Sequence, residues 1–151
     1  MIRDLVETIR RGFTRNVAFT TPSAEDPRLK GRTYAVPFDV VWRASLRLVG
    51  GRLRRWEVVQ ADDTEGIIRG VAHGLIERFT SNITVRILLD PNAQTRVDLL
   101  SASRLGRADL GVNARRIHRF FRALDAAIEK ERGVRIESVR MEPAARTGPP
   151  A

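Results

Sequence analysis

The sequence predicts an α+β fold: an antiparallel meander of four to five strands packed on a long C-terminal helix, helix-grip-like, with an extra amphipathic helix at the N-terminus. Three patterns carry this. Four runs between Leu53 and Ala102 alternate apolar and polar residues, as strands with one buried face do. Ile117, Phe120, Phe121, Leu124 and Ile128 then recur at i, i+3, i+4, i+7 and i+11, a helical stripe wide enough to cover that face. A second stripe of the same spacing opens the chain.

That opening stripe is Ile2, Leu5, Val6, Ile9 and Phe13 within residues 1–13, with Arg3, Asp4, Glu7, Arg10 and Arg11 elsewhere on the wheel. Large apolar side chains contribute about 1.5 to 3 kcal/mol each when fully buried. The helix is therefore expected to dock, whether on the domain's own flank, on a protein partner or on an anionic membrane surface. Residues 14–32 lose the periodicity and carry Pro22, Pro27 and Gly31, the composition of a connector.

A single domain is expected over 33–140. Thr33 to Val36 can form a short strand, and Pro37 closes it and opens a helix with Asp39 in its first turn. Phe38, Val41, Trp42, Ser45 and Val49 make the apolar face, and Gly50-Gly51 ends it. Strands are expected at Leu53–Gln60, Ile67–His73, Asn82–Leu89 and Thr95–Ala102, with turn residues at 62–66 and 90–92. Gly133 is placed to end the last helix, Val134 to Val139 to add an edge strand, and 141–151 to form a loose tail.

The 151 residues suffice for one domain that buries about two-thirds of its unfolded surface. Cysteine is absent, which removes disulfides, thiolate metal ligands and thiol nucleophiles. The net charge of +9 and pI of about 11.4 suit an anionic partner, nucleic acid or lipid. Lysine occurs only at Lys30 and Lys130, however, and so lopsided an arginine excess also follows from a GC-rich genome. No apolar run approaches the roughly 18 to 20 residues of a membrane span, and charges interrupt Met1 to Glu7. The expected location is cytoplasmic, with peripheral attachment to a membrane as the variant.

The catalytic inventory is thin. His73 closes a strand and His118 flanks the last helix, and neither has the serine and aspartate pattern of a triad. Asp62, Asp63 and Glu65 sit where a hairpin turn needs acidic side chains, which accounts for them without a metal. No phosphate-cradling glycine motif is present, so neither cofactor nor metal is expected. Arg115, Arg119 and Arg122 fall opposite the apolar stripe as a solvated face, while Arg116 can fold back over the helix start.

The informative segment is the loop into that helix. Ser101 and Ser103 bring hydroxyls, Arg104 and Arg107 bring positive charge, Gly106 and Gly111 permit tight turns, and Asn113 or Asp109 can cap. Such a loop can hold an anion on free helix amides. It can equally brace itself, with Asp109 paired to Arg104 or Arg116 and the serines bonded to loop amides. The leading functional reading is a non-enzymatic binding or scaffold module that uses this loop for an anionic ligand or protein partner. The alternative is a hydrolase or isomerase with Asp109 as base and the arginines as anion clamp, and nucleic-acid binding ranks third.

The run Ser103-Arg104-x-Gly106-x-x-Asp109-x-Gly111-x-Asn113-x-x-Arg116-Ile117 carries a resemblance. With Val36-Pro37-Phe38, Val41-Trp42, Thr84-Val85-Arg86 and Arg96-Val97-Asp98, it resembles the uncharacterised bacterial and plastid family catalogued as domain of unknown function 1499. The likeness spans most of Thr33 to Leu124. It implies that the loop is the family's signature feature and transfers no catalytic role.

Overall fold

The computed structural model describes residues 17–21, 24–105 and 111–141. The expected helix over 1–13, the tail after 141 and the loop residues Gly106, Arg107 and Asp109 lie outside the described residues.

The described chain is an antiparallel six-stranded sheet with two helices on one face. Its strands are β1 (Val17–Phe19), β2 (Arg32–Tyr34), β3 (Trp56–Asp62), β4 (Ile67–Ala72), β5 (Ser81–Leu89) and β6 (Thr95–Ser103). The sheet runs β1-β6-β5-β4-β3, and β2 follows β1 along the same edge of β6. The helices are α1 (Phe38–Arg47) and α2 (Val112–Met141).

Alternation decides which face is covered. Ile83, Val85 and Ile87 of β5 and Val97 and Leu99 of β6 are buried, whereas Asn82 and Arg86 on the other parity are exposed. The buried row meets Ile117, Phe120, Phe121, Leu124 and Ile128, the α2 stripe legible in the sequence. Trp56 stacks on Phe120 with centroids 6.1 Å apart, and Phe120 meets Phe121 edge to face at 5.4 Å.

α1 starts where Pro37 predicts. The Pro37 carbonyl accepts from Val40 N at 3.1 Å, and Asp39 pairs with Arg43 one turn on at 3.3 Å. A π turn over Leu48–Arg52 follows, and Gly51 at φ 119° releases the chain into β3. In the β3–β4 turn Asp62 Oδ1 accepts from Thr64 N and Glu65 N, both at 3.1 Å. Gly66 closes that turn at φ 69° and gives its carbonyl to Ile87 N at 2.7 Å. The register slips between Val58 and Gln60, leaving Val59 unpaired and 67% exposed in a β-bulge.

Two expectations need correction. The stretch assigned to a connector supplies β1, which is why the sheet has six strands. Three residues are too few to show alternation, and pairing with β6 holds them. Gly133 does not end the last helix, which runs on to Met141, so no edge strand forms over Val134–Val139. A Cβ placed on Gly133 would meet nothing, so the position is open; helical glycine costs only about 1 kcal/mol, and one such residue does not stop a helix this long.

Candidate functional site

The polar centre of the molecule lies where the ends of β5 and β6 meet the first turn of α2. Pairing sets Ser81 beside Ser103, and Ser101 lies two residues back on the same face of β6. Asn113, fully buried in the first turn of α2, is turned onto them. Its Oδ1 accepts from Ser81 Oγ at 2.7 Å and from Ser101 Oγ at 2.5 Å, and its Nδ2 donates to Ser103 Oγ at 2.8 Å. Both Ser81 and Ser101 are fully buried, so these bonds satisfy groups that water cannot reach.

Arg116, one turn further, folds back over this cluster as its position predicts. Nη1 donates to Ser81 Oγ at 2.6 Å and Nη2 to the Phe79 carbonyl. Arg104 is exposed at the end of β6; its Nε donates to Asn82 Oδ1 at 3.0 Å and its backbone N to the Thr80 carbonyl at 3.0 Å. Gly111 takes φ 76° and its carbonyl accepts from Arg115 N at 3.0 Å, opening the helix.

Of the residues singled out in the sequence, Ser101, Ser103, Asn113 and Arg116 come together, with Gly111 at the helix start, while the Arg104 side chain lies on the outer face of the sheet against Asn82. Asn113 lies in the first turn of the helix, and its side-chain amide bonds the sheet. Ser81 was missed. Its signal is a serine at the first inward position of β5, in register with Ile83, Val85 and Ile87.

A second polar group braces β2 against α2. Tyr34 Oη donates to Asp125 Oδ1 at 2.7 Å, and Arg32 Nε lies 3.5 Å from Asp125 Oδ2 with its guanidinium 5.5 Å over the Phe121 ring. Burial, and then the bond to Asp125, hold the Tyr34 hydroxyl well above its ordinary range. On the outer sheet face Asp98 accepts from Arg96 Nε at 2.8 Å and from Thr20 Oγ1 at 3.0 Å, and the bond to Asp98 raises the Arg96 guanidinium.

His73 Nε2 lies 3.1 Å from Glu57 Oε1 at the surface. Among the described residues no group of three or more histidine, aspartate and glutamate side chains gathers to hold a metal. A cavity of about 660 Å³ lies apart from the serines, between Ala44 and Leu48 on one side and Ala123 and Ala127 on the other, with the Arg47–Glu131 pair at its rim.

Residues 8–124, which include all of β1 to β6 and the start of α2, match the family described as Protein of unknown function (DUF1499). The chain belongs to DUF1499. The match takes in Ser81, Ser101, Asn113 and Arg116 and ends at Leu124, inside α2. No curated protein and no solved structure matches this DUF1499 chain.

Proposed function

We propose that this DUF1499 chain is a non-enzymatic binding module that holds an anionic group at the amino end of α2. One observation carries the reading: Asn113 locks the helix start to Ser81 and Ser101, Arg116 reaches back to Ser81 on the same inward face, and Arg104 stands at the adjoining strand end, bonded to Asn82 on the outer face. Buried bonds pre-organise the helix start and Arg116 is held against it, so an anion would bind there without reordering the scaffold, with Arg104 closing in from the exposed strand end. The hydroxyls support binding over nucleophilic catalysis, since Ser81 and Ser101 are engaged with an amide and a guanidinium rather than with an imidazole or carboxylate base.

The test is a titration of the labelled protein with inorganic phosphate and glycerol phosphate, read from backbone amide shifts. Saturable shifts are expected at Ser103, Arg104 and the first turn of α2. Arg104→Gln should weaken them several-fold, and Arg122→Gln on the outer helix face should leave them unchanged. An absence of saturable shifts up to tens of millimolar, where even about 2 kcal/mol of binding shows, sinks the reading.

A further inference from the structure

Strand register places the loops at two ends, one mainly basic, though it includes the exposed Glu77, and the other mainly acidic. At one end Trp56, Ala72, Ser81 and Ser103 stand in a row across β3, β4, β5 and β6. Next to this row lie Arg54 and Arg55 before β3, Leu75 and Ile76 after β4, and Arg104 and Leu105 after β6. The three arginines are exposed, and Leu75, Ile76 and Leu105 are 84%, 54% and 54% exposed. The opposite end carries Asp62, Asp63 and Glu65 in the β3–β4 turn and Asp90 after β5.

The basic end is built rather than loose. Arg104 N donates to the Thr80 carbonyl at 3.0 Å and Gly74 N to Thr80 Oγ1 at 3.3 Å, so the segments bearing Leu75, Ile76 and Leu105 are stitched together. Phe79 N donates to the Ile76 carbonyl at 3.0 Å, which turns that loop back on itself. His73 N donates to the Arg55 carbonyl at 2.8 Å, and Arg55 is held at φ 68°, a conformation that favours glycine or asparagine. Aliphatic side chains held outward among arginines are the chemistry of an interface where apolar and anionic groups lie at neighbouring depths.

We propose that this end docks on an anionic lipid bilayer, with Leu75, Ile76 and Leu105 entering the interface and Arg54, Arg55 and Arg104 against the phosphates. The proposal rests on the binding reading above and names the surface that presents the anion. The acidic far end favours this approach, because in the field of a negative surface the molecule turns its basic end inward. Among the described residues no helix is long and apolar enough to cross a membrane. A duplex nucleic acid would engage the arginines and leave the three aliphatic side chains without a role.

The experiment is co-sedimentation of the full chain with vesicles of phosphatidylcholine alone and of phosphatidylcholine with phosphatidylglycerol. Pelleting is expected only with the anionic vesicles and should fade as salt rises. The double variant Leu75→Asp/Ile76→Asp should lose about tenfold in partitioning with an unchanged melting temperature, because both side chains are already exposed. Val59→Asp, on the exposed bulge of β3, should pellet as the parent does. The proposal is overturned if the double variant pellets like the parent, if neutral vesicles bind equally, or if duplex DNA binds the parent and double variant alike while vesicles do not. Amide shifts with phosphate but no pelleting overturn the bilayer and spare the anion reading. Neither response overturns both.

Discussion

Ser101 Oγ donates to Asn113 Oδ1 at 2.5 Å, tying an inward residue near the end of β6 to the first turn of α2. Because Ser81 and Ser103 use the same amide, Asn113→Ala strips partners from three hydroxyls at once. Stranded buried groups cost about 1 to 3 kcal/mol each, and some relaxation is available, so a loss of about 2 to 4 kcal/mol is expected in denaturant titration. A change below about 0.5 kcal/mol would show that the cluster does not hold the helix.

Tyr34 is the sole tyrosine, so its ionisation can be followed directly by ultraviolet absorbance. Its folded pKa is raised above the ordinary 10.0, so both states keep the proton below that value and the contribution to stability is whole there. As pH rises past it, the unfolded chain releases the proton first and stability falls. Tyrosinate absorbance should therefore appear together with alkaline unfolding, and Tyr34→Phe should flatten the decline. A reversible titration near the ordinary value in the folded protein would refute the Tyr34–Asp125 bond.

Ser45 faces the core from α1, fully buried, and its Oγ has no hydrogen-bond partner among the described residues. Ser45→Ala removes an unsatisfied oxygen and raises helix propensity. The variant should melt at a higher temperature, by an amount matching about 1 kcal/mol. A lower melting temperature would mean that the hydroxyl has a partner.

Gly66 combines φ 69° with a Cβ direction that runs into the Ile87 carbonyl, the residue whose amide it binds. Gly66→Ala must strain the backbone and open that turn together. A loss of about 2 to 3 kcal/mol is expected, with faster exchange of the Ile87 amide. Unchanged exchange there would place the strain elsewhere.

The long α2 stripe and the alternation of β5 and β6 were legible because both are long, regular and half-buried, so periodicity records the buried face. Pro37, Asp62 and Asp90 were legible for a local reason: their roles are fulfilled within a few residues. β1 was not, since Val17–Phe19 is a strand only through its partner on β6. Gly133 misled because a glycine that can end a helix need not do so. Within the site, Arg116 could be placed by its helical angle, whereas Ser101 and Ser103, expected to bond loop amides, bond the Asn113 side chain instead. Ser81 required knowing that β5 and β6 pair with Ser81 against Ser103, a relationship between residues 22 positions apart that spacing does not encode.

Both margins of the sheet are interrupted. On one side β6 is covered by two three-residue strands laid end to end, and on the other β3 is broken by the bulge at Val59. Open strand margins are templates on which further chains add, the first step toward fibrils, and a short or kinked margin is a poor template. Here the interruptions limit how many consecutive backbone amides either side can present to another molecule. The same irregularities that shorten the strands thus guard the protein, at high concentration, against growth from the margins of its sheet.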